Sequence, residues 1–118
     1  MFGQMLEDAV GRVQGAESAL LMGFDGILVD MYTGRADADV ESMGMEFSVV
    51  LKEVRKAAEL ISAGTAGEMT IRTDKMAAVL RVVNDEYFVA MTLTPEGNVG
   101  KARFILRTIV PTMNDALI

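Results

Sequence analysis

Apolar residues at Phe2, Met5, Leu6, Ala9, Val10 and Val13 recur at helical spacing and predict a first helix of about three turns, ended by Gly15. The stretch ESALLMGFDGILVDMYTG then changes period. Ser18–Gly23 and Ile27–Tyr32 read as antiparallel strands around a two-residue Asp25–Gly26 turn, because glycine accepts the positive φ such a turn needs. Both strands are apolar at most positions, which predicts cover on both sheet faces. The polar run GRADADVESMG leads into a long helix over Val40–Ser62. Asp39 is its N-cap, a carboxylate placed to accept from the free N–H groups of the first turn. Its core-facing positions are Val40, Met43, Phe47, Val50, Leu51, Val54, Ala58 and Ile61, and Gly64 and Gly67 stop it.

Three strands follow: GEMTIRT alternates, MAAVLRVV is nearly continuously apolar, and EYFVAMTLT is mixed. Asp74–Lys75 and Asn84–Asp85 mark the turns between them. Pro95–Glu96–Gly97 closes the run, and Asn98 caps a last helix reaching Leu117. The inner face of that helix is Val99, Ala102, Leu106, Ile109, Val110, Met113 and Leu117. Pro111 falls on the opposite stripe, which predicts a bend there and not a break. The order helix, two strands, helix, three strands, helix predicts an α+β fold with one five-stranded antiparallel sheet between helices, a single domain over residues 1–118.

Composition narrows the chemistry. The chain has no cysteine and no histidine, which removes disulfides, thiolate nucleophiles, the common zinc sites and the usual general base, and fits a reducing cytoplasm. A net charge of −6 is the wrong sign for a nucleic-acid binder. The apolar runs, such as Ala19–Met22 and Met76–Leu80, are too short to span a bilayer, and the first ten residues read as helix and not as a signal peptide. The expected location is therefore cytoplasmic, without membrane insertion. Methionine is abundant, ten against seven Phe and Tyr together, which suits an adaptable core or a binding surface.

The motifs that suggest catalysis or ligand binding fall short of their requirements. LTPEGNVGKARFILR places Gly100–Lys101 at a helix start, but Ala102 stands where a P-loop needs Ser or Thr, and Pro95 where it needs the first glycine. The stretch reads instead as an Asn-capped helix start whose glycine permits close packing on the sheet. Asp37, Asp39 and Glu41 alternate like calcium ligands, yet the glycine and distal glutamate of an EF-hand are out of register. Acids are expected at a helix N-terminus in any case. Asp25, Asp30, Asp85 and Glu86 sit in or beside turns without an acid–base spacing. Ser18, Ser42, Ser48 and Ser62 lack a histidine partner and a nucleophile elbow. No catalytic residue, cofactor site or metal site is expected. The basic start of the last helix, Lys101, Arg103 and Arg107, contrasts with the acidic remainder, and Phe104 projects away from its inner stripe.

Two features point to self-association. Met45, Val49 and Leu60 lie on the far side of the long helix, among Ser42, Lys52, Glu53 and Lys56. Buried in a twofold contact, their six copies yield roughly 9–18 kcal/mol, against an association cost of roughly 4–15 kcal/mol. The helices alone barely hold a dimer, and a second contact is wanted. The strand Glu68, Met69, Thr70, Ile71, Arg72 supplies it if it lies at a sheet edge and pairs with its own copy. Antiparallel pairing centred on Thr70 sets Glu68 opposite Arg72 of the other chain; centring on Ile71 opposes Glu68 and Asp74, which repel.

The element order, the LLMGFDGILVD hairpin with Gly26, and YFVAMTLTPEGNVGKARFILR, with Asn98, Gly100, Lys101, Ala102 and Arg103 opening the final helix, resemble the roadblock / dynein-light-chain family, in particular its bacterial MglB-like members. The resemblance covers nearly the whole chain. It implies a five-stranded antiparallel sheet with one long helix on one face and two on the other, and a homodimer in which the third strands join and the long helices pack together. It also implies a non-enzymatic adaptor that binds and regulates a small Ras-like GTPase. Lys52 and Lys56 on the exposed helical stripe are the candidate contacts for that partner. The alternatives are a structural scaffold subunit of a larger complex, and a small-ligand sensor domain, which requires a cavity with convergent polar groups.

Overall fold

The computed structural model describes residues 2–117. In chain order it contains α1 (Phe2–Gly11), β1 (Ala16–Gly23), β2 (Leu28–Thr33), α2 (Val40–Leu60), β3 (Glu68–Arg72), β4 (Ala77–Val82), β5 (Tyr87–Leu93) and α3 (Val99–Leu117). The strands form one antiparallel sheet in the order β2-β1-β5-β4-β3, so the hairpin and the meander join through β1 and β5, and β2 and β3 lie at the edges. Side chains of a strand alternate between faces. Ala19 and Leu21 enter a core with Leu6, Ala9, Val10, Ile105, Leu106 and Met113 of α1 and α3. Leu20 and Met22 enter a second core with Val40, Phe47 and Leu51 of α2. The α+β architecture, one long helix on one face and two on the other, is the expected one.

Local chemistry moves several boundaries. The first helix ends at Gly11, although Val13 remains buried. The Arg12 and Val13 N–H groups donate three residues back, to Ala9 and Val10, so the chain tightens into a turn that keeps Val13 in the core after the helix has stopped. The hairpin loop has three residues, Phe24, Asp25 and Gly26, and not two. Gly23 N–H donates to Ile27 O (2.9 Å) and Gly26 N–H to Gly23 O (2.9 Å), and Gly26 takes φ +85°. That is a tight turn followed by a left-handed glycine, a geometry the Asp–Gly pair serves as well as the two-residue turn. β2 is half-buried at best, with Val29 exposed, because it is an edge and not an interior strand.

Asp39 caps α2: its Oδ1 accepts from Ser42 N–H (3.1 Å) and its Oδ2 from the Ser42 hydroxyl (2.8 Å). These bonds hold the Asp39 carboxyl below its ordinary pKa. The helix stops at Leu60, short of the expected Ser62. Ser62 adopts φ +59°, its N–H donates to Glu59 O, and Ala63 N–H donates to Ala58 O, which together satisfy the last carbonyls. Two positions assigned to the core of α2, Val50 and Ile61, are 42% and 75% exposed. Gly44 and Ser48 are buried instead. α2 packs over β1 and β2, and the inner stripe Val40, Gly44, Phe47, Ser48, Leu51 faces the sheet.

Gly44 sets how closely the helix approaches. A Cβ there meets Met22 Cε at 2.8 Å and both Leu20 methyls at 3.1 Å. Gly44→Leu is expected to overpack this contact and cost about 1–3 kcal/mol, read as a lower urea midpoint with unchanged slope. In α3, Asn98 Oδ1 accepts from Lys101 N–H (3.0 Å), and the helix runs on through an exposed Pro111. Ile105, missing from the expected inner face, is buried.

Candidate functional site

β3 has a hydrogen-bonded neighbour on one side only. Its register with β4 fixes which backbone groups are free. Val82 N–H donates to Gly67 O (2.9 Å) and Thr73 N–H to Met76 O (2.8 Å), so the odd-numbered residues turn their polar groups toward β4. By the alternation of an antiparallel ladder, the N–H and C=O groups of Glu68, Thr70 and Arg72 point outward. Side chains alternate as well. Met69 and Ile71 pack, half-buried, against the α2 core, and Glu68, Thr70 and Arg72 stand on the α3 face. The other edge is blunted. On β2 the Asp30 carboxylate accepts from Met31 N–H (2.8 Å) and from Gly3 N–H (2.7 Å), which puts a charge on that edge and ties α1 beside it.

On α2 the exposed and half-buried apolar residues outside the inner stripe form two stripes. Met45, Val49 and Leu60 lie on the outer stripe with Lys52 and Lys56, and are 51%, 51% and 76% exposed. Neither lysine has an ion-pair partner among the described residues. Met45 leans toward the hairpin, its Cγ 4.0 Å from the Cβ position of Gly26. A second stripe, Met43, Val50, Val54 and Ile61, spaced seven, four and seven residues apart on one flank, is assigned to the core by the sequence pattern; Val50 and Ile61 are exposed, and Met43 and Val54 are half-buried. Met43, at one end of this flank, lines a cleft of about 200 Å³ with Glu17, Arg35, Ala38, Lys75, Met76 and Thr92, which places that end of the flank beside the β3–β4 turn. Half-buried Met69, Ile71 and Met76 lie on the α2 face of the sheet. The flank, these side chains and the open strand together form an apolar ledge ending in unpaired backbone.

Glu68, expected to meet Arg72 of a second chain, already has partners within its own. Arg103 Nε and Nη2 donate to its two carboxylate oxygens at 3.2 Å each, and Arg81 Nη1 lies 3.7 Å away. Arg72 donates through Nη1 to the Pro95 carbonyl. The Arg103 hydrogen bonds lower the Glu68 pKa against the opposing effect of desolvation. A lowered folded-state pKa means that the ion pair stabilises fully above the ordinary Glu range, near 4.3. That stabilisation disappears as pH falls through the lower folded value. Glu68→Gln should therefore be less stable than the parent at pH 7, with the gap closing as the pH falls below the ordinary Glu range and through the lower folded value, measured by paired urea titrations.

The remaining sequence candidates are tied up locally. Gly100 is exposed and does not pack on the sheet; the close contact belongs to Gly97, whose Cβ position lies 2.8 Å from Leu93 Cβ. Asp37 pairs with Arg35 at 3.1 Å, and Asp39 serves α2. Ser18 and Thr92 bond to each other in the interior, and Ser48 donates to Met45 O (2.7 Å). Among the described residues no helix is long and apolar enough to cross a membrane.

Comparison with known proteins follows this geometry closely. No family model matches the sequence, and no curated protein matches it. Among solved structures, MglC from Myxococcus xanthus is 35% identical, with 96% of this chain and 96% of that chain covered and a TM-score of 0.68. The chain belongs to the roadblock/LC7 family. A roadblock/LC7 domain from Streptomyces avermitilis superimposes at a TM-score of 0.87 with 16% identity, covering 97% of this chain and 95% of that one. An MglB in a tetrameric arrangement superimposes at 0.84 with 12% identity, covering 95% and 84%. At those identities the last two establish the fold alone. The arrangement of three helices and a five-stranded antiparallel sheet is that of the roadblock fold.

Proposed function

We propose that this roadblock protein is a non-enzymatic, cytoplasmic adaptor that pairs with a second copy of itself and presents the joined surface to a small Ras-like GTPase. The observation that carries the self-pairing is the run of outward backbone groups at Glu68, Thr70 and Arg72 beside the apolar flank of α2. Antiparallel pairing of β3 with its copy requires outward residues to meet outward residues. Centring on Thr70 does so, joining Thr70 to Thr70 and Glu68 to Arg72 with about six backbone hydrogen bonds. Centring on Ile71 also matches the backbone but opposes Glu68 and Asp74, so charge selects the Thr70 register. Met69 and Ile71 then continue one apolar floor across both chains. The flank Met43, Val50, Val54, Ile61 closes over it, and Val49, Leu60 and Met45 extend the contact around the helix.

Lys52 and Lys56 remain on the outer face as the GTPase contact. A chain without a histidine or cysteine supplies no obvious catalytic group, but binding can hold a GTPase's own switch residues in one conformation. The self-association of an MglB relative and the similarity to MglC support this reading. The test is a pull-down with a small Ras-like GTPase loaded with GDP or a GTP analogue. Preferential capture of one state, weakened by Lys52→Ala with Lys56→Ala, is expected. Equal capture of both states leaves no differential affinity to drive regulation and refutes it.

A further inference from the structure

The sheet face opposite α2 carries a charge cluster of which the adaptor reading uses only the two β3 members, Glu68 and Arg72. Three arginines act on one glutamate there, and a fourth lies on the same face. Arg103 holds Glu68 through two hydrogen bonds, Arg81 lies 3.7 Å from the same carboxylate, and Arg107 contributes to its lowered pKa. Arg72 stands on the same face and reaches the Pro95 carbonyl. This leaves a surplus of positive charge on one face of a chain whose net charge is −6, so the rest of the surface is more acidic than the total suggests. Arg72, Arg103 and Arg107 are exposed. Phe104 is 49% exposed among them, with the Arg107 guanidinium 5.8 Å from its ring centre.

We propose that this face, through Arg81, Arg103, Phe104 and Arg107, docks an acidic segment of a partner protein. Its carboxylates pair with the guanidiniums, and an apolar side chain of the segment lies on Phe104. The Arg103–Glu68 pair shows the carboxylate geometry in miniature, a guanidinium edge donating to both oxygens. Arg107 has no carboxylate within ion-pair distance among the described residues, so it is the group an incoming acid satisfies first. Charge complementarity favours a short acidic polypeptide over a long polyanion, because the surrounding acidic surface repels anything that extends beyond the face. Arg81, Arg103, Phe104 and Arg107 come from one chain and lie off the β3 joint, and none of them is a proposed GTPase contact, so the docking is tested apart from both.

The test is a titration of isotope-labelled protein, followed by amide and guanidinium NMR signals. The probe is a synthetic peptide rich in Glu with one Leu and one Phe; the control is the same peptide with every Glu replaced by Gln. Shifts are expected to cluster on residues 68–72, 81 and 100–108, with the Gln peptide at least about tenfold weaker and binding weakened by added salt. Arg103→Ala with Arg107→Ala should lose at least about tenfold in affinity, and Lys52→Ala with Lys56→Ala should change nothing. The milder Arg107→Gln alone, checked for an unchanged spectrum, guards against a folding defect. Shifts elsewhere, equal binding of the Gln peptide, or tighter binding of a single-stranded oligonucleotide or phosphatidylserine vesicles would overturn the proposal.

Discussion

Thr70→Pro is expected to convert a dimer into a monomer without unfolding the chain. The Thr70 N–H points away from β4, so proline removes no bond of the intrachain ladder. In the proposed pairing the same substitution removes the two central interchain bonds and puts a ring where the strands meet. Each lost bond is worth about 0.5–1.5 kcal/mol, and the steric conflict adds to it. Dimer affinity should fall at least about a hundredfold, close to 3 kcal/mol. Light scattering on the parent should give twice the 12.8 kDa chain mass and on the variant the chain mass itself, with matching circular dichroism spectra. A proline placed instead at Met69 or Ile71 strikes inward N–H groups and should destabilise the chain itself. If Thr70→Pro leaves the mass at two chains, β3 is not the joint.

The second large effect is in the core that carries α2. Phe88 is fully buried and packs at 5.4 Å, ring centre to ring centre, against Phe24 of the hairpin loop. Phe24 in turn lies under the Arg55 guanidinium at 4.6 Å, and Arg55 reaches Asp85 in the β4–β5 turn at 3.4 Å. One ring thus ties two turns and the long helix together. Phe88→Ala should cost about 3–5 kcal/mol, a large share of the 5–15 kcal/mol typical of a domain, and lower the midpoint of thermal unfolding by roughly 10–25 °C. Arg55→Ala, which removes only the outer cover of Phe24, should cost far less. A loss under about 1 kcal/mol for Phe88→Ala would mean that the site collapses around the gap and that the ring is not the anchor described.

The sequence made some of this legible and hid the rest for identifiable reasons. Asp39 and Asn98 were readable as caps because capping depends on a side chain and its own next few residues. The edge position of β3 is only a condition in the sequence reading; it is met because β1 pairs with β5, a long-range pairing that leaves both β2 and β3 at the borders. Gly44 and Ser48 escaped because periodicity registers apolar side chains, and a helix pressed closely onto a sheet needs small ones. Val50 and Ile61 were assigned to the core because they lie at the margin of the apolar arc. Only the tertiary position of α2, over β1 and β2, shows that this margin overhangs an uncovered part of the sheet. The Glu68–Arg103 pair spans 35 residues and depends on where α3 crosses the sheet, which no local pattern encodes.

These misses alter the interface more than the fold. Met45, Val49 and Leu60 alone describe a helix face that could meet any neighbour. Met43, Val50, Val54 and Ile61 describe a flank beside a particular open strand, and the two features together give the contact a direction. Arg103 and Arg81 also compete for the Glu68 carboxylate that the Thr70 register offers to Arg72 of a second chain. A carboxylate accepts more than one donor, so the interchain pair joins this network without having to replace it. Its net worth is then small, and the backbone bonds and the apolar flank carry the association.

The most direct measurement of the central claim is hydrogen exchange at the amides of Glu68, Thr70 and Arg72 in the intact protein. The account predicts that these three outward amides are protected as strongly as the inward amides of Met69 and Ile71, and that their protection alone disappears in the monomeric range of a dilution series. Rapid exchange at Glu68, Thr70 and Arg72 at millimolar concentration, beside protected Met69 and Ile71, would contradict it.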